Sequence, residues 1–178
     1  MGVKVKKLQP PRDLIEALGE TYELLLENAL KKAKQSGVTM HQIMAAVRGD
    51  AVALHKFSDD EAIKLEAYMK RDLVNAAQYL DKTGKKLEGW LGFDAALIKR
   101  EFWEYFAEAA DQTTIELNQL SWQAQDAGYH SGELVGLGTL VCDQCGEKMQ
   151  FHKPARIPSC QKCTMRTFTG SVLNNPCR

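Results

Sequence analysis

Apolar residues recur every three or four positions along residues 13–126, which is the spacing of one face of an α-helix. No proline interrupts this stretch, and its absence favours long helices. The spacing predicts a first helix that begins near Ile15 and ends before Gly37. A capping box of Thr39 and Gln42 then predicts the start of a second helix. The apolar positions of this second helix are Ile43, Val47 and Leu54.

Two longer helices are predicted to follow. Ser58 and Glu61 form a capping box that opens the third helix, and Asp94 caps the fourth, which continues to about residue 124. The link between them contains three glycines, at positions 84, 89 and 92. Helices joined by so short a link normally fold back on each other. The sequence therefore predicts a mainly α fold, with an antiparallel helical hairpin or bundle of coiled-coil-like character over residues 1–133.

Beyond residue 133 the pattern changes to short segments that are bounded by glycine and proline, as is typical of β-strands. Strands are predicted at residues 138–141, 149–153 and 166–169. We therefore predict a second domain at residues 134–178. It consists of a small three-stranded unit within about 134–170, followed by a short tail.

All five cysteines lie in this C-terminal part. Cys142 and Cys145 form one Cys-x-x-Cys pair, Cys160 and Cys163 form another, and fourteen residues separate the pairs. Two residues between thiolates let one tight turn direct both sulfur atoms at one ion, and four thiolates complete a tetrahedral shell. The spacing predicts one structural Zn²⁺ per chain in a small β zinc ribbon, although four thiolates also suit iron. Cys177 lies outside the pattern and is interpreted as a free thiol on the tail.

A pair of disulfides is the alternative use of these cysteines, and it requires an oxidising compartment. The first residues, from Met1 to Lys7, lack the apolar stretch of a secretory signal. No apolar run approaches the roughly 20 residues that cross a bilayer. We therefore expect a cytoplasmic protein with reduced thiols and no membrane partner.

Charge differs between the two predicted domains. The whole chain has 23 Lys and Arg and 23 Asp and Glu, which argues against a general polyanion binder. Residues 1–133 hold 17 basic against 21 acidic residues, whereas residues 134–178 hold 6 against 2. The ribbon is thus basic, and its cations would contact nucleic-acid phosphates if they shared a face. These cations are Lys148, Lys153, Arg156, Lys162 and Arg166.

Aromatic side chains allow a binding and a packing interpretation. Exposed Phe151 and Phe168 would stack with bases, but a module this small needs both rings for its own core. His152 is interpreted as a surface strand residue rather than a fifth metal ligand or a nucleic-acid contact. The aromatic cluster of the fourth helix is interpreted as helix-packing core. It comprises Phe102, Trp103, Tyr105 and Phe106, with Trp122.

His130, Ser131 and Glu133 include the residue types of a catalytic triad. Adjacent residues rarely face each other as base and nucleophile, so a structural turn is the preferred interpretation. The sequence contains no nucleophile elbow, phosphate-cradling glycine loop or dinucleotide fingerprint. We therefore predict that the protein is not an enzyme and infer no small-molecule substrate. The opposing hypothesis is an enzyme that uses zinc or Cys177. A filled zinc shell and a tail thiol without a nearby base argue against it.

Two segments carry a family likeness. The first runs from Tyr129 to Cys145 and begins Tyr-His-Ser-Gly-Glu, and the second is Cys160-Gln-Lys-Cys163. Together with the helical N-terminal region, they resemble the YbeL-like family of bacterial zinc ribbon-containing proteins, a family of unknown function. The resemblance implies a four-cysteine ribbon with Cys142, Cys145, Cys160 and Cys163 as zinc ligands. Two features depart from it. Thr164 stands where the family usually has glycine, which would tighten or distort the second turn, and residues 170–178 differ from the usual ending.

The leading hypothesis is a non-enzymatic zinc-binding protein whose ribbon acts as a recognition module for a protein or nucleic-acid partner. The alternative is a DksA-like regulator that binds RNA polymerase through the helical hairpin. In that case the hairpin tip at residues 81–94 would enter a channel of the polymerase. The tip carries three cations, Lys82, Lys85 and Lys86.

Overall fold

The computed structural model describes residues 14–36, 44–45, 47–49, 58–120 and 128–170. In these ranges the α-helices with defined bounds are α1 (Leu14–Ser36), α2 (Asp59–Thr83), α3 (Glu88–Leu91) and α4 (Arg100–Leu120). A 3₁₀ turn spans Ala95–Leu97, and residues 44–45 and 47–49 are helical as well. No helix within the described ranges combines the length and apolar character needed to cross a membrane.

The first predicted helix is confirmed as α1, which ends at Ser36, directly before Gly37. Of the second predicted helix, Val47 is helical and buried. The other residues that define this helix in the sequence lie outside the described residues. They are Thr39, Gln42, Ile43 and Leu54.

Helix α2 begins at the predicted capping box. The Ser58 hydroxyl accepts a hydrogen bond from the N–H of Glu61 at 3.3 Å, and the Glu61 carboxylate accepts one from the N–H of Ser58 at 2.8 Å. The bond from the backbone of Ser58 also lowers the pKa of Glu61. Gly84 ends the helix with φ of 61°, and its N–H bonds to the carbonyl of Leu80 at 2.9 Å. Both ends of α2 are therefore fixed by local sequence.

The prediction that Asp94 caps the fourth long helix is wrong. Asp94 caps the 3₁₀ turn instead, and its carboxylate accepts a hydrogen bond from the N–H of Ala96 at 2.9 Å. Ile98 then has an extended backbone with ψ of 145°, which interrupts the helical geometry, so α4 begins at Arg100. The apolar pattern runs through this break because Ile98 and Phe102 are both buried in the same core.

The C-terminal part forms two small antiparallel sheets. Its strands are β1 (Tyr129–His130), β2 (Leu134–Val135), β3 (Gly138–Cys142), β4 (Lys148–Phe151), β5 (Ala155–Arg156) and β6 (Thr167–Gly170). One sheet has the order β1-β6-β3-β4, and β2 pairs with β5 in the other. In the first sheet Cys142 of β3 lies opposite Phe168 of β6, which in turn lies opposite Tyr129 of β1.

The predicted three strands are present as β3, β4 and β6, but the count of three is wrong. The additional strands β1, β2 and β5 contain two residues each, which is too short for an alternating pattern to be visible in the sequence. The predicted boundary after residue 133 falls between β1 and β2. The four-stranded sheet therefore includes a strand on the N-terminal side of that boundary.

Aromatic side chains fill much of the helical core. Phe102 and Phe106 are buried there, and the ring of Trp90 stacks on Phe106 with 5.5 Å between centres. Trp103 and Tyr105 are partly buried against the same cluster. The interpretation of the aromatic cluster as helix-packing core is therefore confirmed for these residues. The remaining member, Trp122, lies outside the described residues.

The ribbon contacts the helices at points where its backbone carries no side chain. A Cβ atom on Gly136 would lie 2.6 Å from the hydroxyl of Tyr22, and one on Gly138 would lie 3.1 Å from the ring of Trp90. Gly138 also has φ of 116°, a conformation that residues with side chains rarely adopt. The close approach at both glycines places the ribbon directly on the helical core.

The link between α2 and α4 also packs on the ribbon. The hydroxyl of Thr139 donates to the carbonyl of Leu91 at 2.6 Å, and the side-chain amide of Gln150 donates to the carbonyl of Gly92 at 3.3 Å. Trp90 is 4% exposed and Leu91 is fully buried. This part of the link therefore lies between the helices and the ribbon.

Replacing Gly136 with alanine is expected to destabilise the protein by about 1–3 kcal/mol, the usual cost of overpacking a core. The new methyl group would collide with Tyr22, which is fully buried and donates a hydrogen bond to Asp72. Guanidinium denaturation measures the change in the free energy of unfolding. Gly49→Ala is the matched control, because a Cβ atom there meets nothing within 4 Å. Equal stability of the two variants would contradict the close approach at Gly136.

Candidate metal centre

Two turns with the same hydrogen bonding carry the four cysteines. In the first turn the N–H of Gly146 bonds to the carbonyl of Cys142 at 2.9 Å, and in the second the N–H of Thr164 bonds to the carbonyl of Cys160 at 2.9 Å. In both turns the N–H of the first cysteine also bonds to the carbonyl of the residue two positions after the second cysteine. This distance is 2.8 Å in the first turn and 2.9 Å in the second. The repeated Cys-x-x-Cys spacing thus folds twice into the same turn.

The two turns bring all four sulfur atoms together. These atoms lie within 4.8 Å of one another, with 3.5 Å between Cys142 Sγ and Cys163 Sγ and 3.6 Å between Cys145 Sγ and Cys160 Sγ. In a zinc tetrahedron with sulfur about 2.3 Å from the metal, the sulfur atoms are about 3.8 Å apart. The four predicted residues therefore fit one zinc ion per chain. Elsewhere in the described ranges no group of three or more His, Cys, Asp or Glu is placed to hold a metal.

Backbone N–H groups point at the sulfur atoms of Cys160 and Cys163. The N–H of Cys163, with that of Lys162, lowers the pKa of Cys160 to about 7. The N–H of Met165 acts on Cys163 in the same direction, but desolvation and hydrogen bonds with the other three thiols raise the pKa of Cys163 to about 12. Four thiolates this close repel one another, so a dication that offsets their charge is the natural occupant.

Thr164 has the same place in the second turn that Gly146 has in the first. Its φ is 62°, close to the 72° of Gly146, and across the described residues it is the one non-glycine residue with positive φ. A left-handed backbone costs a residue with a Cβ atom about 1–2 kcal/mol, and a β-branched residue is a particularly poor fit. The second turn thus keeps the hydrogen bond and the backbone conformation of the first, and the expected tightening or distortion of the turn is not observed. The misfit of the threonine is instead present as backbone strain at Thr164.

Thr164→Gly is expected to stabilise the zinc-loaded protein by about 0.5–1 kcal/mol. Glycine removes the strain of the left-handed backbone. Because glycine also has more conformational freedom in the unfolded chain, the increase in stability is smaller than the strain that is removed. The free energy of unfolding from denaturant titration with zinc present measures the effect. The reciprocal variant, Gly146→Thr, should lose stability. An unchanged or lower stability of Thr164→Gly would show that the hydroxyl, which bonds to the carbonyl of Cys163 at 2.6 Å, outweighs the strain.

The segment from His130 to Glu133 forms a turn beside the ribbon strands. The Glu133 carboxylate accepts a hydrogen bond from the N–H of His130 at 3.1 Å, and its other oxygen lies 3.5 Å from His130 Nδ1. The hydroxyl of Ser131 donates to the carbonyl of Pro158 at 3.1 Å. The Ser131 hydroxyl is thus bonded to the backbone, as in a structural turn.

The five cations predicted as phosphate contacts are all exposed. They are Lys148, Lys153, Arg156, Lys162 and Arg166. Two of them have partners within the chain, since Lys162 lies 3.8 Å from the Glu147 carboxylate and Arg156 donates to the carbonyl of Gly132. Phe151 and Phe168, in contrast, are only 7% and 1% exposed. These two rings form the ribbon core and are not available to stack with bases.

His152 lies against the link between α2 and α4. The prediction that it is a surface residue of a strand is therefore wrong. It follows the end of β4, is half-buried and meets the ring of Phe93 edge-on with 4.5 Å between centres. The reason is that residues 92–93 cover this end of the ribbon. Its Nε2 atom is buried and has no hydrogen-bond partner in the described part of the chain, and His152 is not part of the sulfur cluster.

Two residues that join the ribbon to the helices, Arg71 and Asp72, are not among those predicted from the sequence. The carboxylate of Asp72 is completely buried and accepts a hydrogen bond from the N–H of Gly136 at 2.8 Å. Arg71 donates to the carboxylate of Glu133 at 2.5 Å. A signal is present in the sequence, because Asp72 lies one turn after Met69 on the apolar stripe of α2.

Comparison with known proteins agrees with this metal centre. Residues 27–171 match a family described as a zinc-ribbon containing domain. The uncharacterized protein YbeL of Escherichia coli K12 is 24% identical over 147 residues, which cover 82% of this chain and 91% of YbeL. YbeL from the O6:H1 and O157:H7 strains gives the same values. No solved structure gives a significant match. Because the family match covers most of the chain and includes the four clustered cysteines, the chain belongs to the YbeL-like family of zinc-ribbon containing proteins.

Proposed function

We propose that this protein is a non-enzymatic zinc protein whose ribbon recognises a partner protein. The observation that carries the proposal is the sulfur cluster, in which each of the four cysteines offers one ligand atom. Four thiolates fill a tetrahedral zinc shell and leave no position for a water molecule or a substrate. The zinc then maintains the shape of the ribbon, and the function depends on the surface that this shape presents.

The exposed ends of the two cysteine turns are the proposed recognition surface. The ribbon backbone at Gly136 and Gly138 packs on the helices, so those positions are covered. The ends of the turns remain open to solvent and are polar. Their exposed side chains belong to Gln144, Gln161, Lys162, Thr164 and Arg166. A metal-bound turn loses little freedom when it binds, which favours recognition by these side chains.

Nucleic acid is the second candidate partner. The exposed cations of the ribbon support it, because phosphate contacts need accessible lysine and arginine. The burial of Phe151 and Phe168 removes the base-stacking partners that a single-strand binder uses. We therefore propose a partner protein, and a pull-down with and without nuclease distinguishes it from nucleic acid.

The DksA-like alternative gains no support from the described link between α2 and α4. A tip that enters a polymerase channel has to project from the fold, whereas Trp90 and Leu91 are buried and Gly92 is bonded to the ribbon. The antiparallel hairpin itself stays part of our proposal, because α2 and α4 share one core and the link between them, residues 84–99, packs against that core. We also propose a cytoplasmic location, where thiols remain reduced for zinc.

A pull-down from cell lysate, with and without nuclease, tests the proposed recognition surface. The test variant is Lys162→Glu/Arg166→Glu, which reverses two exposed charges at the second turn. The matched control is Lys82→Glu/Lys85→Glu, which reverses two exposed charges at the predicted hairpin tip. The zinc content of each variant is measured first, so that loss of the metal is not mistaken for loss of the surface.

The proposal predicts a protein that resists nuclease, is retained by the control and is lost by Lys162→Glu/Arg166→Glu. A partner that is lost after nuclease treatment and in high salt would show that the ribbon binds nucleic acid and not a partner protein. A partner lost only by Lys82→Glu/Lys85→Glu would show that the predicted hairpin tip, and not the ribbon, is the recognition surface. Turnover of a substrate by the zinc-loaded protein would contradict the assignment of a non-enzymatic role.

A further inference from the structure

A completely buried carboxylate lies where the helices meet the ribbon. Asp72 of α2 accepts hydrogen bonds from the hydroxyl of Tyr22 on α1 and from the N–H of Gly136, both at 2.8 Å. The guanidinium of Arg71 donates to its other oxygen at 3.3 and 3.4 Å. One carboxylate therefore has donors on α1, on α2 and in the segment that precedes β3.

Arg71 extends these contacts further into the ribbon. It donates to the carboxylate of Glu133 at 2.5 Å and to the carbonyl of Leu134 at 2.7 Å. Its guanidinium also lies over the ring of Tyr129, 4.0 Å from the centre. The Arg71 side chain is 8% exposed, so water contributes little to its solvation. We call Tyr22, Arg71, Asp72 and Glu133 the buried charge network.

Burial makes this network dependent on docking. A charged group taken out of water is stable only while opposite charges and hydrogen-bond donors replace the lost solvation. Asp72 finds those donors only when Tyr22, Arg71 and Gly136 are all in place. If the ribbon moves away, Asp72 and Arg71 lose partners at the same time. The network thus favours the state in which the helices and the ribbon are docked on each other.

The ribbon side of the network is connected to the cysteine turns. Two residues before Glu133, the N–H of Ser131 bonds to the carbonyl of Arg166 at 2.8 Å, and Arg166 follows the second turn. Strand β1 pairs with β6, and β6 pairs with β3, which ends at Cys142. The segment that contacts Arg71 and Asp72 is therefore held by strands whose positions depend on both cysteine turns.

We propose that the buried charge network couples zinc binding by the ribbon to the packing of α1 and α2, so that the loss of zinc loosens the helices as well as the ribbon. The coupling is reciprocal by thermodynamic necessity. Docking on the helices holds the ribbon in the form that binds zinc, and the network therefore raises the affinity for zinc. This inference concerns the metal state of the chain and does not depend on the partner of the ribbon.

Hydrogen exchange of the full chain tests the first half of the proposal. Exchange is measured in reducing buffer with zinc bound and after removal of zinc by a chelator. The proposal predicts faster exchange at residues 22–30 of α1 and 69–77 of α2 once zinc is removed, together with residues 129–170. Faster exchange confined to residues 129–170 would overturn it, because the helices would then be independent of the metal.

Zinc affinity tests whether the network carries the coupling. The variants are Glu133→Gln and Tyr22→Phe, neither of which alters a cysteine. The matched controls are Glu104→Gln, at an exposed pair with Arg100, and Tyr105→Phe, which removes a hydroxyl bonded to Glu27. Chelator competition should give a zinc dissociation constant about 5-fold or more weaker for both network variants. The controls should match the unmodified protein. Network variants that bind zinc as tightly as their controls would overturn the proposal.

Discussion

Cys160→Ser is expected to abolish stable zinc binding and to unfold the ribbon. Structural zinc in small four-ligand modules contributes about 10–16 kcal/mol of apparent binding free energy, which is also folding free energy. The ribbon buries too few side chains to replace that contribution. Cys160 is well suited to show it, because its sulfur is buried, receives backbone N–H groups and has a pKa lowered to about 7 by them.

Two measurements check this prediction. Metal analysis should find about one zinc per chain in the unmodified protein and far less in Cys160→Ser. Amide resonances of residues 129–170 should lose their dispersion in the variant. Cys177→Ser is the control, because Cys177 lies outside the Cys-x-x-Cys pairs and its loss should leave one zinc in place. Full zinc content in Cys160→Ser would mean that the four sulfur atoms do not form the metal site.

Arg71→Met is expected to destabilise the protein by about 3–5 kcal/mol, the cost of leaving a buried charge without its partner. The variant removes the cation that faces both Asp72 and Glu133 while it keeps most of the apolar volume. Denaturant unfolding with zinc present measures the loss. Asp72→Asn in the same chain should restore part of the stability, because the uncompensated charge is then gone. Arg100→Met is the control and should change little, since Arg100 is exposed.

The stability of Arg71→Met should also depend on pH, and the sign of this dependence follows from the pKa of Asp72. Burial raises the pKa of Asp72, and Arg71 opposes this effect, so removal of Arg71 raises the pKa further. A carboxyl whose pKa is higher in the folded state is favoured when protonated, so its stability contribution is lost as the pH rises through that pKa. The penalty for Arg71→Met should therefore grow as the pH rises above about 4, the ordinary pKa of an aspartate in an unfolded chain. A penalty independent of pH would show that Asp72 does not titrate in this range.

The features that the sequence predicts well are those that depend on neighbouring residues. The metal centre follows from the spacing within each Cys-x-x-Cys pair, because each pair folds locally into one turn. The start of α2 follows from Ser58 and Glu61 for the same reason. The strain at Thr164 is also local, since it arises from a residue type that does not suit the backbone of its own turn.

The features that the sequence does not predict depend on residues that are far apart. Gly136 meets Tyr22, and Arg71 meets Glu133, only in the folded chain. No spacing rule connects such pairs. Asp72 is an intermediate case, because a carboxylate on the apolar stripe of a helix indicates a buried partner without identifying it. The two-residue strands β1, β2 and β5 are missed because they are too short to show alternation.

The bond between Asp72 and Gly136 has a consequence for protein synthesis. Both Tyr22 and Asp72 leave the ribosome before Gly136, which lies 64 residues after Asp72. At about 5–20 residues per second, translation therefore leaves the Asp72 carboxylate without this amide donor for several seconds. The early helices cannot complete their shared core with the ribbon until the second cysteine pair has emerged and zinc has been taken up. Newly made chains in zinc-depleted cells should consequently be more sensitive to proteases in their N-terminal half than chains made with zinc in supply.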